Sequence, residues 1–167
     1  MRKHAAILLL ALSTLSTLAL AQNQRGPSTP KERDRALEIA QKLEADPLSP
    51  ALQGDRDWLL VWVMEVPDIS VQMCIANMPY DKHYKRAPEL TAVDLAATTA
   101  FVIQHPDKMM DPPAAGLAAL ESMIHAYQVV VKQDPTARSP EMDEVIELQK
   151  QGKLADYLNE RWKTMCQ

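Results

Sequence analysis

Residues Asp55–Met78, DRDWLLVWVMEVPDISVQMCIANM, hold an unbroken apolar run, since every residue from Trp58 to Met64 is hydrophobic. A helix over that run is apolar on all sides, and such a helix belongs in a protein interior. The stretch therefore predicts a buried central helix with other elements packed round it. Pro67 follows at once, and its missing N–H and ring clash predict a break or bend near Val63–Val66. Glu65 sits just before that point, where a partly desolvated carboxylate can act as an acid, a base or a ligand contact. It can equally reach the surface or pair with a Lys or Arg, with Pro67-Asp68 opening a further helical turn.

On the N-terminal side, the opening MRKHAAILLLALSTLSTLALAQ has a basic start, an apolar stretch from Ala5 to Leu20 and an Ala19-Leu20-Ala21 cleavage signal. This pattern predicts a signal peptide over residues 1–21, hence an exported protein, periplasmic or secreted, that does not span the membrane once processed. Removing those 21 residues takes two of the 18 basic residues and none of the 22 acidic ones, leaving 146 residues with a net charge of −6. That length suits one domain with a sizeable core. An acidic balance offers no footprint for nucleic acid. Residues 22–28, QNQRGPS, read as a disordered leader, with a single helical domain over 29–167.

Helix signals then recur along the domain. Thr29-Pro30-Lys31-Glu32 is a capping box with proline at the first helical position, and Ala36, Ile39, Ala40 and Leu43 follow at helical spacing as far as Asp46-Pro47. Ser49-Pro50 repeats the start signal. A third helix is expected from Thr91-Ala92-Val93-Asp94 to His105-Pro106, and a fourth from Pro112-Pro113 to Asp134-Pro135 along Leu117, Leu120, Ile124, Tyr127 and Val131. Ser139-Pro140 opens the last region, which Gly152 either ends or weakens before Leu154, Tyr157, Leu158 and Trp162 carry on to the terminus. No stretch alternates strongly enough to claim a strand. The fold class is thus all-α, an irregular or orthogonal bundle of five to six helices.

The ending KLEADP at Lys42–Pro47 resembles the end of a tetratricopeptide repeat. The Asp46-Pro47, His105-Pro106 and Asp134-Pro135 stops share no fixed period, however, and the Trp, Gly and Tyr positions of that repeat are unfilled. The fragments ADPLSP at 45–50 and EVPDI at 65–69 resemble segments of small exported bacterial proteins, a resemblance that implies no activity.

Cys74 and Cys166 are the only cysteines, and two in an exported chain most simply form one disulfide. A thiolate nucleophile at Cys74 would lack a neighbouring His, and no C-x-x-C-H haem attachment is present. Glu121 and His125 share a helix face at i and i+4, but nothing in the sequence supplies further ligands, so no metal and no cofactor is expected. There is no G-x-S-x-G, P-loop or dinucleotide fingerprint.

Two candidate sites remain. One is the basic and aromatic loop Tyr80, Lys82, His83, Tyr84, Lys85 and Arg86, which suits an acidic partner or ligand in an otherwise acidic protein, and which is otherwise a solvated loop. The other is a pocket beside the Pro67 bend in which Trp58, Trp62, Glu65, Asp68, Glu121 and His125 would have to converge. The first makes the protein a protein- or peptide-binding module, and the second an enzyme or small-ligand carrier. Oligomeric state is not readable from the sequence.

Overall fold

The computed structural model describes residues 25–166. The signal peptide assigned to 1–21 lies outside the described residues. The described residues form six α-helices and no strand: α1 Pro30–Ala45, α2 Gln53–Glu65, α3 Ala87–Gln104, α4 Pro112–Gln133, α5 Pro140–Lys150 and α6 Leu154–Met165. Single 3₁₀ turns at Pro50–Leu52, Ile75–Asn77, Pro106–Lys108 and Pro135–Ala137 join them.

Three of the six helices start at a side-chain cap, α1, α4 and α5. Thr29 and Glu32 form the full capping box of α1, while the Ser139 side chain caps α5 by accepting from Met142 N. Asp111 does the same for α4 from Ala114 N. Gly152 ends the α5 region, because its φ of +70° is a left-handed conformation that a side chain would strain. The third helix starts earlier than its Thr91 signal, at Ala87, with Pro88 in the first turn. Asp94 is consequently an interior residue of α3 rather than part of a cap.

The bundle has a buried central helix, but it is α4 and not the Trp58–Met64 helix. α4 packs against α3, α1, α6, α5 and the Ile75–Asn77 turn, and Leu120, Met123, Ile124, Tyr127 and Val130 are fully enclosed. Its 22 residues are long and apolar enough to cross a membrane by composition, yet neighbouring helices cover it in the manner of a core helix. Gly116 lets the turn at Ile75–Asn77 come this close, since a Cβ there would stand 2.6 Å from Asn77 Oδ1.

α2 is instead an edge helix touching α1, α3 and the Pro50–Leu52 turn. Only Leu59 and Trp62 are buried along it, while Leu60 and Val61 are each 51% exposed and Met64 79%. Pro67 does not bend a continuing helix. The ladder stops at Glu65, Val66 turns extended, and residues 66–74 run without helix as far as the Ile75–Asn77 turn, so Asp68 heads no helical turn.

Both ends of the domain are fastened. Arg25 to Ser28, part of the leader expected to be disordered, are tied to the body: Arg25 pairs with Glu32 and bonds Trp62 O, and Ser28 N and Oγ both donate to Asp68. Cys74 and Cys166 form the expected disulfide, with Cα atoms 5.9 Å apart across 92 residues of sequence. In the chain-entropy account such a closure stabilises by about 4–5 kcal/mol. The bond also points to a non-cytoplasmic location.

Candidate functional site

The Tyr80–Arg86 loop is held down by its own functional groups. Tyr84 Oη donates to Ala137 O at 2.8 Å, Tyr80 Oη meets Thr91 Oγ1 at 3.1 Å, and the two tyrosine rings lie 5.4 Å apart. Burial pushes the Tyr84 phenol well above its ordinary range. Lys85 Nζ and Arg86 Nη2 both reach Asp134 Oδ2 at 2.9 Å, and Arg86 Nη1 takes Glu89 at 3.1 Å. Thr136, together with those two cations, holds the Asp134 carboxyl well below the usual carboxylate range. Lys85 and Arg86 therefore serve to fasten the loop to the α4–α5 connection. Lys82 and His83 face solvent.

The second set divides in two: Trp58, Trp62, Glu65 and Asp68 lie along α2 and its exit beside the start of α1, where Arg25 reaches both Trp62 and Glu65, while Glu121 and His125 stand on α4. Trp58 and Trp62 stack at 5.4 Å, with the Arg35 guanidinium 4.0 Å from the Trp58 ring centre. Glu65 points outward, its side chain 59% exposed and 3.8 Å from Arg25. Asp68 accepts from Ser28 and Arg33 and is held below its ordinary range, the Ser28 and Arg33 bonds outweighing burial. Glu121 is exposed on α4. His125 turns to Glu44 of α1, Nδ1 to Oε1 at 3.2 Å.

That last contact belongs to a groove that no local sequence pattern marks. It runs between α1, α3 and α4 with a volume of about 620 Å³, floored by small residues such as Ala40, Ala97, Ala100 and Ala118. Glu44 bridges two α4 side chains there, because Ser122 Oγ donates to Oε2 at 2.5 Å while His125 meets Oε1. His105 leans on Phe101 at the same groove, ring centres 4.7 Å apart. The arrangement does not activate a nucleophile, since the Ser122 proton goes to the carboxylate and the imidazole bonds the same carboxylate rather than the serine. Sequence reasoning missed this arrangement, for Glu44 is 78 residues from Ser122. Among the described residues no group of three or more His, Cys, Asp or Glu could hold a metal ion.

The most conspicuous uncovered surface is the outer face of α2. Leu60, Val61 and Met64 fall on one side of that helix, with Asp57 and Glu65 at its margins. An apolar helical face rimmed by charge marks a contact surface more than a solvated one. No protein family, curated protein or solved structure matches this chain.

Proposed function

We propose that the protein is a small exported helical protein, periplasmic or secreted, that works by binding another protein or peptide through the outer face of α2. The observation that carries this reading is the exposure of Leu60, Val61 and Met64 within the unbroken apolar run Trp58–Met64. Burying those side chains against a partner removes apolar surface from water at about 25 cal/mol per Å². The acidic margin at Asp57 and Glu65 selects the partner's chemistry: apolar anchors flanked by Lys or Arg. A second copy of this chain fits poorly, because a two-fold contact across Leu60 and Met64 would bring like carboxylates together.

A photo-crosslinking side chain at Met64, with one at the exposed Asn159 of α6 as control, tests this in the exported fraction of the native cells. The expected result is an adduct at position 64 only, lost in a Leu60→Asp, Val61→Asp variant, whose cross-linked peptide carries apolar residues flanked by basic ones. No adduct, equal adducts at both positions, or an adduct to a second copy would refute the reading. The intact mass of the same fraction should begin at Gln22.

A further inference from the structure

Asp94 is a carboxylate with no exposed surface, set inside α3 where the Ile75–Asn77 turn, α4 and α6 meet. Its Oδ1 accepts from Asn77 Nδ2 at 3.2 Å. Asn77 passes the chain on, its own Oδ1 accepting from Trp162 Nε1 of α6 at 2.9 Å. Gly116 of α4 closes the remaining side against Asn77 and Trp162. Asp94 Oδ2 has no partner, nor does Thr98 Oγ1 one turn along the same helix.

The groups around it offer no counter-charge. From the segment after the turn comes the Tyr80 phenol, whose burial and whose exposure to the Asp94 charge both raise its pKa. From α6 comes Arg161, but its guanidinium is spent on the carbonyl oxygens of Ala76, Ile75 and Met78. α4 contributes a glycine and α3 a threonine hydroxyl. A neutral carboxyl is tolerable in such a place. An anion with one amide donor and no cation is costly.

We propose that Asp94, Asn77 and Trp162 form a pH-sensitive latch on the C-terminal helix. With Asp94 protonated, α6 is held closed against the Ile75–Asn77 turn; when Asp94 ionises, that corner opens while the Cys74–Cys166 bond keeps the helix attached. Opening gives up the burial of Leu154, Leu158 and Trp162 and the Arg161 bonds to the turn carbonyls. Desolvation pushes the Asp94 carboxyl up to about 7, and the Asn77 bond offsets only part of it. The closed state thus binds more protons than the open one between the ordinary carboxylate range, about 4, and pH 7. Opening is favoured roughly tenfold per pH unit as pH rises through that window, and levels off above it.

Hydrogen exchange between pH 5 and pH 8, corrected for intrinsic exchange rates and run on the oxidised protein, tests the latch. Amides of residues 75–79 and 154–165 should lose protection by about a hundredfold across that range, while α1 and α4 change little. Asp94→Asn keeps the shape of the neutral acid and should abolish the dependence. Flat protection in the wild type, the same slope in Asp94→Asn, or an equal loss in α1 and α4 would overturn the proposal. Should Asp94→Asn fail to fold, a carboxyl ¹³C titration of the wild type decides. Titration near pH 7 with α6 amide shifts moving in step supports the latch, and titration near pH 4 overturns it.

Discussion

Replacing Gly116 with alanine adds one methyl group at the point where α4, α6 and the Ile75–Asn77 turn are closest. By helix propensity alone the change stabilises by about 1 kcal/mol. The added Cβ, however, would lie 2.6 Å from Asn77 Oδ1 and 3.0 Å from Trp162 Nε1, whereas ordinary contact begins at 3.4 Å. Asn77 has no room to retreat, being fully buried and bonded on both sides to Asp94 and Trp162. Overpacking of this kind costs about 1–3 kcal/mol, and a buried indole N–H left without its acceptor costs about as much again. The net expectation is a loss of about 3 kcal/mol. Gly54, in the first turn of α2, is the matched control: a Cβ there would meet nothing within 4 Å, so Gly54→Ala should be neutral or stabilise by up to about 1 kcal/mol. Urea unfolding of the oxidised proteins at pH 5, followed by circular dichroism, measures both. A Gly116→Ala protein as stable as Gly54→Ala would refute the account of that corner.

Replacing Cys74 and Cys166 together with serine should lower stability by about 4–5 kcal/mol, read from the urea midpoint, because the 92-residue closure is lost from the unfolded chain. Asp134 acts in the opposite pH direction to Asp94. Its folded pKa is depressed by Thr136, Lys85 and Arg86, so its contribution is present above about pH 4 and fades as pH falls below that, and Asp134→Asn should flatten the fall in urea midpoint between pH 5 and pH 3. Within the loop, Lys82→Glu should change stability by less than about 0.5 kcal/mol, since Lys82 faces solvent. Arg86→Glu should cost more in the same assay, because it sets a carboxylate against Asp134 and Glu89.

Several elements were legible from local chemistry. The start of α1 depends on Thr29 and Glu32, three residues apart, and the start of α5 on Ser139 and Pro140. The stop at Pro67 and the turn at Gly152 likewise need only the residue itself and its neighbours. The disulfide was expected from there being two cysteines in a chain whose opening residues read as an export signal. The candidate sites fared differently, because each needed to know which residues meet. The cations of the Tyr80–Arg86 loop look available in sequence, yet Asp134, 48 residues from Arg86, takes two of them. Glu44 and Ser122 gave no signal at all, since neither belongs to a local motif. Asp94 resembled a cap residue until the true start of α3, four residues earlier, placed it in the interior.

The sequence by itself determined that the domain is helical, where most helices begin and end, and that its two cysteines pair, because caps, prolines and apolar periodicity act within a turn or two of the residue concerned. Only the tertiary structure decided which helix is central. Hydrophobicity measures how much a helix gains from being covered, not whether neighbours are free to cover it. α4, with Gly116 and alanines at its contacts, allows α3, α6 and the Ile75–Asn77 turn to approach closely, and it takes the centre. α2, with the unbroken apolar run Trp58–Met64, is cut short by Pro67 and meets neighbours on one side only. Leu60, Val61 and Met64 are left at the surface by that geometry.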